Sequence, residues 1–283
     1  MSDFHLEAHA VRRHFSAAAT SYELHDVLQR EVQASLLERL DFYLDTPQRV
    51  IDIGAGTGRG AALLKQRYPD AEVLAFDVAV PMLREARRHS RWRRRFARVA
   101  ADAAQLPLPD HSVDLIHSNL CIQWCNDLPQ VFAEWVRVLR PGGYLAVSTF
   151  GPDTLRELRG AWAQADQDSH VARFLDMHDL GDRMFDAGLR EPVLDTSRYT
   201  LTYASPMDLL RELKGLGATH ADAARRTGLT GRRRLEAMLG AYENMRVNGR
   251  IPATWEVVTA HAWGPVPWLA DAYARRRNEE SSA

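Results

Sequence analysis

Arg49-Val50-Ile51-Asp52-Ile53 is a β-branched run that stops at Gly54-Ala55-Gly56-Thr57-Gly58 and passes into an Ala/Leu-rich helical stretch, Gly60 to Tyr68. The order is strand, glycine loop, helix. A second unit follows, with Glu72 to Asp77 as a strand and a helix from about Pro81, a good first-turn residue, to Ser90. A third strand is weaker, Phe96 to Ala100. Val113 to Ser118 is a fourth, a helix runs from about Leu128 to Leu139, and Pro141-Gly142-Gly143 turns into a fifth strand, Tyr144 to Thr149. Strands alternating with helices at this pitch predict an α/β fold with a doubly wound, mostly parallel sheet and right-handed connections.

After Thr149 the rhythm changes. Asp153 to Ala165 and His178 to Ala187 read as helices, the second ending at Gly188, and Arg198 to Tyr203 alternates like a strand. An Arg-rich helical stretch then runs from Pro206 to about Met245, before a β-rich run from Thr254 to Trp263. The extra helices fit a lid inserted after strand 5 and between the last strands.

The 283 residues are 46% hydrophobic and 26% charged, enough to bury a core and too apolar for a disordered chain. Lys+Arg 36 against Asp+Glu 37 gives a net charge of -1, so non-specific nucleic-acid binding is not expected and any basic partner site must be local. Arg-rich segments near Trp92 lack the aromatic interleaving of an RNA surface. Cys121 and Cys125 make no disulfide framework; four residues apart, they could share a helix face, but without nearby histidines they make a poor metal site, and no metal is expected. No window approaches the roughly 20 apolar residues that cross a bilayer, and no secretory signal is read, so a cytoplasmic location is expected.

A strand-to-helix glycine loop lets a ligand approach the backbone and sets its anionic part near a helix N-terminus. The dinucleotide fingerprint would need glycine at position 59, which is Arg, and no Gly-Lys-Ser/Thr follows to make a P-loop. An amino-acid-like carboxylate and amine could lie there without a pyrophosphate. Asp52, Asp77 and Asp102 recur 25 residues apart at or just past the carboxyl ends of successive strands, which share one crevice in a doubly wound sheet. Asp77 is placed to accept from both hydroxyls of a ribose, and Asp102 from an adenine amino group while Ala103 offers a backbone N–H. Such acids also cap helices and bond loops in many proteins; it is their coincidence with the glycine loop that favours a cofactor carrying cationic groups.

Val50 to Gly58, Asp77, Asp102 with Leu106-Pro107, and Leu139-Arg140-Pro141-Gly142-Gly143 together resemble the motifs of class I S-adenosyl-L-methionine-dependent methyltransferases over residues 49 to 150. Outside that core, Phe15-Ser16-Ala17-Ala18-Ala19-Thr20-Ser21-Tyr22-Glu23, Ser118-Asn119-Leu120-Cys121-Ile122-Gln123-Trp124-Cys125, Arg173-Phe174-Leu175 and Leu213-Lys214-Gly215-Leu216-Gly217-Ala218-Thr219-His220 resemble the malonyl-acyl-carrier-protein O-methyltransferase family of biotin biosynthesis. The match is poor over 221 to 250. The resemblance implies a helical cap over the cofactor in 1–48, the cofactor core in 49–150, remaining sheet elements with a helical substrate lid in 151–263, and a tail in 264–283. It also implies S-adenosyl-L-methionine as cofactor, with Phe15, Tyr22, Asp52, Gly54, Gly56, Gly58, Asp77, Asp102, Ala103 and Asn119 around it.

That family methylates the free carboxylate of a malonyl thioester on acyl carrier protein, on the way to pimeloyl and biotin. A carboxylate is ionised at neutral pH and needs no general base, so no catalytic acid or base is expected; the enzyme supplies placement and removal of water. Phe15 and Tyr22, expected on one N-terminal helix, and Trp124 are expected to enclose the reacting groups, with Gln123 beside Trp124. The substrate carboxylate needs a cationic partner, for which Arg173, Lys214 and His220 are candidates, each of which could equally be an ordinary surface or packing residue. Two arginine clusters could meet an acidic carrier: Arg84, Arg87, Arg88, Arg91, Arg93, Arg94 and Arg95, and, expected nearer the entrance, Arg225, Arg226, Arg232, Arg233 and Arg234. Membrane and nucleic-acid partners are not expected. Alternatives are a methyltransferase of another small acceptor, a quinone ring or dicarboxylic acid, and a non-catalytic cofactor-binding assembly protein, against which the intact glycine loop speaks.

Overall fold

Residues 6–92, 94–218 and 231–265 are described here, in a computed structural model. Two helices, α1 (Ala8–Ala18) and α2 (Val27–Glu38), precede the sheet. β1 (Arg49–Ile53) is buried along four of its five residues, the pattern of a strand covered on both faces. Gly58, at φ 80°, caps α3 (Arg59–Arg67) in the left-handed region and starts the helix one residue earlier than its apolar pattern indicates. β2 (Glu72–Asp77) leads to α4 (Val80–Glu85), which tightens into a short 3-10 turn over Ala86–Arg88 and stops before the expected Ser90. The residues beyond Glu85 bury only Ala86, so nothing apolar holds a further helical turn against the sheet.

β3 (Ala97–Ala100), β4 (Val113–Asn119), α5 (Leu128–Val138) and β5 (Leu139–Phe150) complete the core. β5 runs longer than Tyr144 to Thr149 because Pro141-Gly142-Gly143 sits within it as an irregularity: Val113 faces Leu139, and two residues later Leu115 faces Tyr144. Beyond it come α6 (Arg156–Ala163), α7 (Met177–Asp186), β6 (Arg190–Tyr203), α8 (Pro206–Gly215), α9 (Arg232–Glu243) and β7 (Ile251–Trp263). Residues 219–230, in the middle of the Arg-rich stretch, lie outside the described part.

The seven strands lie in the order β3-β2-β1-β4-β5-β7-β6, parallel from β3 to β5, with β7 antiparallel to both of its neighbours. Strand order reverses between β1 and β4, which opens a crevice above their carboxyl ends. One sheet face packs Ile51, Ile53 and Leu145 against Phe132 and Trp135 of α5 and Leu180 and Met184 of α7. The other packs Val50, Leu115 and Tyr144 against Leu36 of α2 and Leu64 of α3. A separate apolar core joins α6, α8 and α9 to the ends of β5 and β7, and takes Leu28 and Val32 from α2. Helix α2 therefore belongs to both layers and borders the crevice.

Candidate active site

The crevice opens into a polar cleft. Gly54, Ala55, Gly56 and Thr57 of the loop, Arg59 and Gly60 of α3, Asp52 of β1 and Asn119 of β4 line it, with Tyr22, Asp26, Gln29, Arg30 and Gln33 closing the other side. Asp26, Gln29, Arg30 and Gln33 recur every three or four residues, a polar stripe on a helix whose Leu28, Val32 and Leu36 are buried.

All three glycines of the loop sit at positive φ, and at two of them a side chain would also clash. Gly54 has φ 70°, and a Cβ there would meet Cys121 Sγ at 2.4 Å; Gly58 has φ 80°, and its Cβ would meet Ala86 Cβ at 2.6 Å. Gly56, at φ 52°, has no neighbour within 4 Å of a Cβ and faces open space. The loop is tied to the next strand: Ala55 N–H donates to Phe76 O at 2.9 Å, and Gly56 N–H to Asp77 Oδ2 at 2.9 Å. Asp77 Oδ1 accepts from Ala79 N–H at 2.7 Å. Burial pushes the Asp77 carboxyl up to about 6, with the charge of Asp52 adding to it and the two N–H bonds opposing it.

The three acids do not form one rim. Asp52 is 2% exposed, and its Oδ1 lies 2.8 Å from His117 Nδ1. Asp102 is exposed, off the cavity wall, and its Oδ1 accepts from Ala104 N–H at 2.9 Å. Ala103 is buried, and its carbonyl accepts from Trp135 Nε1–H at 3.0 Å. Phe15 and Tyr22 do not share a helix: Phe15 is on α1, and Tyr22 opens a 3-10 turn after it, over Tyr22–Leu24. Phe15 meets Trp124 edge-on at 5.2 Å and also packs with Tyr22 near Ala79 and Met82, above the residue that bonds Asp77. Burial, then the charges of Asp26 and Asp77, keep the Tyr22 phenol protonated.

Asn119 Nδ2 donates to Gln29 O at 3.0 Å and its Oδ1 accepts from Ser148 at 2.8 Å, which fastens α2 to the end of β4. Gln123 donates to Leu120 O at 2.8 Å and accepts from Thr149 at 3.3 Å. Only one 3-10 turn, Ile122–Trp124, separates Cys121 from Cys125, so they are not on a shared helix face; the bond Cys121 donates to Cys125 and then burial push the Cys121 thiol up. Arg173 and Lys214 are exposed, and His220 lies outside the described residues. The family-like segment at residues 15 to 23 meets residues 213–218 of the second one: Ser21 Oγ donates to Gly215 O at 2.9 Å, and just before it a Cβ on Gly217 would meet His14 O at 2.9 Å.

The arginine clusters are also redistributed. Arg91, Arg94 and Arg95 precede the first residue of β3 and so stand at the amino edge of the sheet, opposite the crevice; Arg93, Arg225 and Arg226 lie outside the described residues. Arg232 pairs with Glu236 at 2.7 Å, and Arg234 with Asp166 at 3.4 Å and Asp168 at 3.1 Å. Asp166, Asp168 and His170 bring ligand-type atoms within 4.8 Å of one another, but that Arg234 contact makes them an ion-pair network.

Five cavity-lining side chains carry buried atoms that find no hydrogen-bond partner among the described residues: the acceptors Asp26 Oδ1, Gln29 Oε1 and Asp52 Oδ2, and the donors Gln33 Nε2 and Arg59 Nε; of these, Asp26 Oδ1 has an ion-pair contact with Arg30 Nε at 3.1 Å. Polar atoms left so in a folded interior are costly, and those that line a cleft are the ones a ligand there would satisfy. Three acceptors and two donors beside one glycine loop fit a group with an ammonium and a carboxylate, the amino-acid end of S-adenosyl-L-methionine. Gln29, Gln33, Arg59 and His117 escape a reading of motifs; the signal for the first two is the polar stripe of α2.

Residues 51–147 match the model of a family described as a methyltransferase domain. The malonyl-[acyl-carrier protein] O-methyltransferase of Xylella fastidiosa (strain M23) is 48% identical over 276 residues, 97% of this chain and 92% of that one. The protein of the same name from Halorhodospira halophila is 49% identical over 261 residues, 92% of this chain and 88% of its own. Among solved structures, a Haemonchus contortus phosphoethanolamine N-methyltransferase 2 in complex with S-adenosyl-L-methionine superposes with a TM-score of 0.56 at 17% identity, over 89% of this chain and 57% of that one, a likeness of fold.

Proposed function

The chain belongs to the malonyl-[acyl-carrier protein] O-methyltransferase family, and from that premise we propose that it methylates the free carboxylate of a malonyl thioester on acyl carrier protein, giving the malonyl methyl ester that enters pimeloyl and biotin synthesis. S-adenosyl-L-methionine is the cofactor and supplies an electrophilic methyl group. The observation that carries the cofactor reading is the set of buried, unpartnered polar atoms around Gly56. Identity near half over more than nine-tenths of the chain supports the acceptor.

Each part of the chain has its task in this reading. The 49–150 core holds the cofactor, with Asp77 taking the ribose hydroxyls and Asp102 and the Ala103 N–H taking the adenine. The 1–48 cap lays Phe15 and Tyr22 over it, and Trp124, edge-on to Phe15, keeps water from the acceptor. Arg173 and Lys214, in the 151–263 part, are proposed for the malonyl carboxylate; Phe174, next to Arg173, lies 5.5 Å from the Phe150 ring at the end of β5. No side chain need remove a proton, because the acceptor arrives ionised. The chain's work is to place that anion and strip its water. The partner is a malonyl-loaded carrier protein and the location the cytoplasm; among the described residues no helix is long and apolar enough to cross a membrane.

Incubation with labelled S-adenosyl-L-methionine and malonyl, succinyl and glutaryl carrier proteins, followed by mass spectrometry of the methylated atom, tests the proposal. A methyl ester on the malonyl group is expected. Label on a longer diacid alone, or on none of the three, rejects it.

A further inference from the structure

Asp52 and His117 face each other in register across β1 and β4, the two strands that flank the crevice. Both are almost wholly buried, Asp52 at 2% and His117 at 0% exposure. His117 Nδ1 lies 2.8 Å from Asp52 Oδ1, while Asp52 Oδ2 and His117 Nε2 have no hydrogen-bond partner among the described residues. Asp52 Oδ2 and Gln33 Nε2 lie on the same side of Gly60, each 2.7 Å from where a Cβ on that residue would stand, so the missing side chain leaves them room.

With a proton on Nδ1, the His117 ring donates to Asp52 Oδ1. A carboxylate can turn about its last bond, and a donor on one oxygen holds the other in one direction.

We propose that His117 is a positioning residue for the cofactor, a donor that pins Asp52 so that Oδ2 faces the ammonium of the amino-acid end. This rests on the methyltransferase reading of the cleft. His117 touches no reacting atom, so its effect falls on affinity for one part of the ligand. Two ligands separate that part from the rest: S-adenosylhomocysteine has the amino-acid end, and 5′-methylthioadenosine has the same nucleoside without it.

The test is calorimetric titration of both ligands into the wild-type chain, H117L and H117N. Asn places an amide N–H where Nδ1 stands, and Leu removes the donor. H117L is expected to lose about tenfold or more in affinity for S-adenosylhomocysteine and less than about twofold for 5′-methylthioadenosine, with H117N within about threefold of wild type for both. Equal losses for the two ligands would make His117 merely structural, and no loss for either would make it dispensable; both outcomes overturn the proposal. If H117L does not fold, the ratio of the two affinities is read in D52N, where it must fall about tenfold; an unchanged ratio there also overturns it. Failure of the wild-type chain to bind either ligand defeats the cofactor reading itself, a distinguishable result.

Discussion

The glycine-loop end of the crevice and helices α6 and α9, which the sequence reading assigns to a lid, are both rich in polar side chains, but they treat them in opposite ways. At the crevice, Gln29, Gln33, Asp52 and Arg59 each keep a buried atom without a partner. In the lid, His170 stacks on Trp162 at 3.7 Å and bonds Asp166 at 2.7 Å, and Arg234 closes the group from α9. Farther along, Ser205 and Asp208 satisfy each other in a capping box at the start of α8, and Tyr203 donates to Glu212 at 2.7 Å. Satisfied polar groups hold a scaffold together, and unsatisfied ones that line a cleft are available to a ligand. The distinction predicts that changes at the crevice act on binding and changes in the lid network on stability.

The glycine loop provides the sharpest break, because its glycines straddle the two roles. Gly54→Ala drives a methyl into Cys121 on top of a left-handed backbone, and is expected to cost about 2–4 kcal/mol of stability together with cofactor binding. Gly56→Ala meets nothing within 4 Å, so its stability cost is the backbone term alone, about 1–2 kcal/mol, while its methyl enters the cleft. Thermal melts and S-adenosylhomocysteine titrations of the two variants separate the effects. Equal destabilisation by both would erase the distinction drawn within the loop.

A smaller effect comes from pH, and here binding and stability move in opposite directions. With the Asp77 carboxyl raised to about 6, the folded apoprotein holds a proton that the unfolded chain has lost between roughly pH 4 and 6. That contribution to stability is complete below the unfolded value and disappears as pH rises through 6. In its proposed role Asp77 accepts from the ribose hydroxyls in its ionised form, so affinity should fall about tenfold from pH 7 to pH 5. Asp77→Asn should lower affinity and flatten both profiles. An affinity that stays level to pH 5 in the wild-type chain would remove Asp77 from the ribose.

How much of this could be read in the chain alone depends on how local each cause is. The β-branched runs and the glycine loop are contiguous, and the order of strands and helices follows from them. The placement of β7 between β5 and β6 is not contiguous: Phe150 pairs with Val257, more than 100 residues away, and nothing within either strand names its partner. The same holds at the site. Asp77 stands out in the sequence because it ends a strand, but His117 sits inside Val113-Asp114-Leu115-Ile116-His117-Ser118, where it reads as one more residue of a strand until the neighbouring strand supplies Asp52. Asp102 stands where the spacing puts it, yet its carboxylate turns to the backbone of Ala104, a short-range competition that spacing does not reveal.

The smallest expected effect tests the lid side of the contrast. Burial pushes the Asp166 carboxyl up, but the His170 bond, the Asp168 N–H and the charges of His170 and Arg234 outweigh it and hold the group below its usual range. Arg234 is itself 39% exposed, so solvent screens most of its attraction to Asp166 and Asp168. Arg234→Ala should therefore lower stability by at most about 1 kcal/mol, a fall of about 2–4 °C in Tm for a chain of this size. The His170–Asp166 bond and the Trp162 stack remain to hold the turn after α6. S-adenosylhomocysteine affinity should not change, because neither Arg234 nor its partners line the cavity. A variant that melts normally but binds the nucleoside poorly would mean that the lid network reaches the cleft, and the two regions could no longer be treated as separate.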